Sequence, residues 1–196
     1  MISVIIPYVR SKGAERCADA AQKNAGIDDS MFDVFAAYDV ARIGAPKMVK
    51  AMVEVCAGDM VCFLADDTVP QKNYLKNALD KMLRFPDGWG LVGFNDCIHD
   101  GNGLATHWLG HKKLLPHIGG EFFHTGYYHR FCDNELTDRA RMIDRYVWAE
   151  DAIVEHRHPV NLKAKWDADY RRVYSPRYRI HDGVLYHKRR SAGYTM

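Results

Sequence analysis

The first hundred residues alternate between strand and helix patterns, and that alternation is the strongest constraint on what this chain can fold into. "ISVIIPY" (2–8) is an unbroken β-branched run containing a proline near its end, the pattern of a strand buried on both faces. "GAERCADAAQKNAG" (13–26) is alanine-rich and closes on Gly26, which predicts a helix with a glycine stop. A second strand is expected over 31–39. A helix over 45–59 follows, with apolar residues at 48, 49, 52, 53 and 56. "MVCFLA" (60–65) predicts a third strand, 70–85 a helix with Pro70 at its first position, and "GLVGFND" (90–96) a fourth strand. This βαβαβαβ order predicts an α/β fold with a mostly parallel central sheet and helices on both faces.

The remainder is less regular. Residues 97–130 are rich in Gly, His and aromatic residues and predict loops with short mixed strands. A helix is expected over 132–144, two short strands over 146–159, and short helices near 166–174 and 182–190. At 196 residues the chain suits one domain.

In sheets of this class, ligands bind beyond the carboxyl ends of the strands. Asp39, Asp66 and Asp67 fall at such ends, the last two in "DMVCFLADDTVPQ". Adjacent carboxylates repel each other. A hard divalent cation, which prefers oxygen ligands and often shares them with phosphates, relieves that repulsion. The plainer reading is that one of them caps the following helix.

Other classes are constrained by composition. A net charge of +2 is too small to argue for nucleic-acid binding. Five cysteines without a CxxC pair speak against a disulfide framework and for a reducing, cytoplasmic setting. No apolar stretch approaches the length of a bilayer span. The basic tail, "RRVYSPRYR" and "HKRR", reads as a solvated surface or as a patch for phosphate or an anionic membrane. His107, His111, His117 and His124 match no zinc-finger or HExxH spacing, and Trp108 beside them either packs or lines an acceptor pocket.

Three stretches together resemble the family 2 nucleotide-sugar glycosyltransferases of the Rossmann-like GT-A fold. They are "SVIIPYVR", then "AGDMVCFLADDTVPQKNYL", similar to the signature that contains the DXD motif, and "CDNELTDRA" followed by "YVWAEDAIVEH". The resemblance covers roughly residues 1–158. It implies a single domain whose residues 1–98 bind the nucleotide sugar and whose residues 99–160 serve acceptor and catalysis, with 161–196 as a helical tail. It implies a nucleoside diphosphate sugar donor, a UDP-sugar by first choice, a carbohydrate or other hydroxyl acceptor, and Mn²⁺ or Mg²⁺ as cofactor.

Residue by residue, the resemblance makes Asp67 the metal-holding aspartate, Asp66 its neighbour at the ribose, and Asp39 the acid that meets the base. Pro7, Tyr8 and Arg10 border the nucleotide. His156 completes the metal site, with His158 as an alternate ligand. Asp133 is the favoured catalytic base and Glu135 the other choice, because Cys132 stands where the family has a glutamate. Lys50 stands near the family's helix asparagine, and Arg139 is placed to pair with Glu135 four residues earlier. Arg171, Arg172 and Arg177 either reach the diphosphate or decorate a surface helix. Two other readings remain open: a nucleotidyltransferase acting on a sugar phosphate, and a non-catalytic nucleotide-sugar-binding module.

Overall fold

The computed structural model describes residues 1–99 and 103–195, so part of the expected 97–130 loop, residues 100–102, lies outside the described residues. Its elements are β1 (Ile2–Tyr8), α1 (Ser11–Asn24), β2 (Phe32–Tyr38), α2 (Ala45–Val55), β3 (Met60–Phe63), β4 (Thr68–Pro70), α3 (Tyr74–Met82), β5 (Leu91–Asn95), β6 (Trp108–His111), α4 (Cys132–Met142), β7 (Tyr146–His156), α5 (Ala168–Val173) and α6 (Pro176–Ser191). The sheet runs β2-β1-β3-β6-β5-β7-β4.

The sheet is mixed, which corrects the expectation of a mostly parallel one. Among the described residues, β1/β2, β1/β3 and β5/β7 pair parallel, while β3/β6, β5/β6 and β4/β7 pair antiparallel. The cause is β6. After β5 the chain turns back, and Trp108–His111 inserts antiparallel between β3 and β5. A four-residue strand inside an aromatic, glycine-rich stretch carries little periodic signal.

Two further boundaries differ. Pro70 does not open a helix; it ends β4, opposite Val154. β4 is the terminal strand of the sheet, the place where a residue without an N–H costs no ladder bond. Residues 146–156 form one long strand rather than two short ones, with an irregularity opposite Phe94 and Asn95.

Side-chain alternation along β1 explains its continuous apolar run. Ile2, Val4 and Ile6 join one buried cluster with Cys17, Leu75 and Phe94. Ile5 faces the opposite way and joins another with Val61, Trp108, Phe122 and Leu136. Both faces of the central strands are therefore dry, and each such side chain contributes roughly 1.5–3 kcal/mol on burial. This frame holds the ends of β1 and β3 rigidly side by side.

Candidate functional site

A cavity of about 580 Å³ opens where β1 and β3 end, with walls from the start of α4, the end of β7, and α5. Asp66 and Asp67 follow β3 and are buried, at 5% and 8% exposure. They turn to different partners. Asp66 Oδ2 accepts from the amides of Val9 and Arg10 at 2.8 and 2.9 Å, and its Oδ1 takes the Arg10 guanidinium at 2.9 Å. Asp66 thereby ties the loop after β1 to the turn after β3. Burial and the neighbouring Asp67 push its carboxyl up, against the pull of Arg10.

Asp67 faces the other way. Its Oδ1 lies 3.3 Å from His156 Nε2, and its Oδ2 accepts from the Tyr170 hydroxyl at 2.7 Å. Burial opposes its charge, but His156, Tyr170 and Arg10 outweigh that and hold its carboxyl well below the usual range. The two repelling charges of "ADD" are thus each given their own cationic partner.

His156 is the hub. Burial lowers its basicity, while Asp67 and Asp96 together raise it well above the ordinary value. Its Nδ1 lies 3.8 Å from Asp96 Oδ2, and its ring meets the His107 ring edge-on at 5.1 Å. Asp96, His107 and His156 each place a donor atom within 4.8 Å of the others, an arrangement able to hold a metal ion. Among the described residues, the Nδ1 atoms of His107 and His156 are both buried without a hydrogen-bond partner. Orphaned imidazole nitrogens facing a carboxylate fit a divalent cation. His107 is 2% exposed, and burial pushes its pKa down to about 3, so its lone pair is free at neutral pH.

His158 does not share that geometry. Its Nδ1 accepts from the Val160 amide at 3.1 Å, closing the turn after β7. Its proton therefore sits on Nε2, which leaves no lone pair there for a metal. Burial pushes this ring down to about 4.

On α4, the two acids of the first turn part company. Asp133 lines the cavity, and its carboxylate accepts from the Asn134 amide at 2.9 Å. Enclosure by the cavity walls pushes its carboxyl up. Glu135 is fully buried away from the cavity. It takes Arg189 through two bonds of 2.9 Å and the Tyr127 hydroxyl at 2.7 Å, and Arg139 lies 3.3 Å away. Glu135 thus joins α4 to α6.

The remaining expected residues also border the cavity. Pro7 and Tyr8 form its β1 side, where Tyr8 stacks on Tyr38 with ring centroids 5.4 Å apart. Asp39 accepts from the Ile43 and Gly44 amides, both at 2.8 Å, and closes the loop before α2. Gly44 has φ of +92°, a conformation suited to glycine. Of the tail arginines, Arg172 reaches the cavity while Arg171 is exposed and Arg177 lies over the Tyr128 ring.

Reading the sequence missed Asp96 and Tyr170. Asp96 ends the predicted fourth strand, the same signal that singled out Asp39, Asp66 and Asp67. Tyr170 carried none; in that tail only the neighbouring arginines were singled out. Of the histidines singled out at 107–124, only His107 reaches the hub. His111 accepts from the Lys113 amide, His117 stacks on Trp89, and His124 meets Glu121. Trp108 packs in the core against Phe122.

No protein-family model and no curated protein matches the sequence. Solved structures do match in shape. The mannosyltransferase PcManGT from Pyrobaculum calidifontis, in complex with GDP-Man and Mn²⁺, aligns with a TM-score of 0.63 at 18% identity, over 80% of this chain and 57% of that one. S. aureus TarS 1–349 in complex with UDP aligns at 0.62 and 14%, over 76% and 58%. Glucosyl-3-phosphoglycerate synthase from Mycobacterium tuberculosis, with Mg²⁺ and UDP, aligns at 0.54 and 13%, over 81% and 72%. The chain spans less than two thirds of the TarS and PcManGT chains it matches. The fold of this chain is similar to that of these solved structures.

Proposed function

We propose that this protein is a metal-dependent, inverting glycosyltransferase that moves a sugar from a nucleoside diphosphate sugar to a hydroxyl acceptor. One observation carries the reading. A single cavity at the strand ends joins an acid suited to take a proton, Asp133, to a histidine–carboxylate hub suited to a cation. Structures of the same fold are described with UDP, GDP-Man, Mg²⁺ and Mn²⁺, which supports the donor and cofactor classes.

In this reading the nucleotide lies against β1, with Tyr8 offering an aromatic face and Pro7 a rigid edge. Asp39 keeps one lone pair on each oxygen after accepting from the loop amides, enough to take a donor from the base. Arg10, held by Asp66, places positive charge beside the diphosphate. When bound at the His156 hub, a divalent cation supplies charge against the diphosphate leaving group. Asp133 takes the acceptor's proton. Its raised carboxyl pKa brings it nearer the working pH, where a general base is most effective. One base and one displacement invert the anomeric carbon, and no covalent intermediate is required.

The test is a thermal-shift panel of UDP, GDP, dTDP and their sugars, each with and without Mn²⁺. A ligand that binds the folded state raises the melting temperature by mass action. A metal-dependent rise with at least one diphosphate is expected. No rise with any of them overturns the reading.

A further inference from the structure

We propose that the resident cation of this protein sits on Asp96, His107 and His156, that Asp67 orients His156 rather than ligating the metal, and that the site selects Mn²⁺, Co²⁺ or Zn²⁺ over Mg²⁺. The inference deepens the reading of the hub above, and it rests on geometry that needs no nucleotide.

The two ring nitrogens of His156 have different surroundings. Nε2 points at Asp67 Oδ1 across 3.3 Å, and Nδ1 is buried, unpartnered and turned toward Asp96. A metal that binds His156 displaces one of the ring's two protons, and the neutral imidazole that results carries one. With a carboxylate at Nε2, the proton belongs there and the lone pair belongs on Nδ1. That is the carboxylate–histidine–metal relay in which the outer carboxylate fixes the ring that ligates. His107 supplies a second nitrogen, since its Nδ1 is likewise buried without a partner.

Asp96 supplies the oxygen, and its own position is fixed. Oδ1 accepts from the Ile98 and His99 amides at 2.9 and 2.8 Å. Oδ2 meets His99 Nδ1 at 2.8 Å and takes the Thr106 hydroxyl at 3.0 Å. The Thr106 proton is free to rotate away, which returns a lone pair of Oδ2 to the cluster. Donor atoms within 4.8 Å of one another close onto a cation at bond lengths of roughly 2.0–2.2 Å with small side-chain movements.

Two imidazoles and one carboxylate make a nitrogen-rich set. Mg²⁺ prefers oxygen and keeps its waters, whereas imidazole suits first-row transition metals. Asp67 already has two partners, His156 and Tyr170, and so fits the outer position.

The experiment uses the chain with metal alone. Equilibrium dialysis against MnCl₂, CoCl₂, ZnCl₂ and MgCl₂ is expected to show binding of the first three and none of Mg²⁺ at the same concentration. His107→Gln is expected to abolish Mn²⁺ binding, and Asp67→Asn to weaken it by about 10- to 100-fold. Abolition by Asp67→Asn with His107→Gln unchanged overturns the assignment, as does equal binding of Mg²⁺. Because His107 is buried, its variant is checked against a measurement on the unaltered chain. Pulsed electron paramagnetic resonance of the Mn²⁺-loaded protein is expected to resolve two imidazole nitrogens, and one or none overturns the proposal. No readout involves a nucleotide. Failure here leaves the donor panel unaffected, and failure of that panel leaves this site standing.

Discussion

Tyr170 donates its hydroxyl hydrogen to Asp67 Oδ2 at 2.7 Å across 103 positions of sequence. The same short helix brings Asp169 to Arg42 at 3.0 Å, and Asp167 at its N-terminal cap brings its carboxylate to Arg10 at 2.7 Å. The tail is therefore fastened to the strand-end loops by one hydrogen bond and two ion pairs, all at the cavity rim. The bond to Asp67 is the strong one, because its acceptor is charged and buried.

Tyr170→Phe removes that bond and little else. A hydrogen bond to a charged group contributes about 1.5–3 kcal/mol, and urea unfolding of the variant is expected to show a loss of that size. Limited proteolysis is expected to cut sooner between 162 and 175 than in the unaltered chain. An unchanged unfolding midpoint would mean that the contact does not hold the tail.

Glu135 makes a prediction about acid. Burial opposes its charge, but Arg189 and Tyr127 outweigh burial and lower its pKa in the fold below the ordinary 4.5. A depressed folded value means that the stabilisation is fully present above pH 4.5 and is lost as pH falls through the folded value. Glu135→Gln is expected to be less stable at neutral pH, since removing one partner of a buried pair typically costs about 3–5 kcal/mol. In urea titrations the gap to the unaltered chain should be constant above pH 4.5 and narrow below it. A gap that widens toward acid contradicts the arrangement.

Asp133 should behave in the opposite sense. Its carboxyl is pushed up by enclosure, so ionisation works against folding, and stability is lost as pH rises above the ordinary 3.8 toward the folded value. Asp133→Asn is expected to be as stable as the unaltered chain or more so at neutral pH. Its turnover with an active donor should fall by roughly 10²–10⁴-fold, the usual contribution of a general base, with the donor-induced thermal shift intact. Turnover that survives would move the base elsewhere, and Glu135, locked to Arg189, is a poor second choice.

These residues divide according to how much a linear pattern carries. Asp39, Asp66 and Asp67 stand at the ends of apolar runs, where alternating strands and helices converge; His156 came from the family resemblance, and all four line one cavity. Asp133 came from the family resemblance, and it lies in the first turn of α4. β6 was not legible, because a four-residue insertion between β3 and β5 is decided by tertiary pairing and leaves no period. Pro70 read as a helix start because an edge strand of three residues leaves the same proline free of a ladder bond. Tyr170 and Asp182 act through contacts more than 50 positions away: Asp182 takes the amides of Tyr128, His129 and Arg130 and so shapes the loop before α4. His158 stands apart from these: expected beside His156 as an alternate ligand, it has its Nδ1 engaged by the turn after β7.

The face of α1 that meets the aspartate turn offers the last prediction. Gly13 packs so tightly that a methyl group there would collide with the Asp66 carbonyl oxygen and lie 3.3 Å from its carbon. One turn later, Cys17 Sγ contacts Thr68 Oγ1 at 3.3 Å, and burial pushes its thiol up to about 12. Gly13→Ala gains helix propensity, which alone would stabilise by up to about 1 kcal/mol. The collision is with backbone, and overpacking of that kind costs about 1–3 kcal/mol, so net destabilisation is expected in urea. Because the displaced atom belongs to Asp66, the clasp on Val9 and Arg10 should loosen and the metal-dependent thermal shift with UDP should shrink. Cys17→Ala, by contrast, opens space below the turn without moving Asp66. It should lower the unfolding midpoint while leaving the UDP shift close to that of the unaltered chain. Equal loss of the shift in both variants would mean that general softening of α1, and not the position of Asp66, sets donor binding.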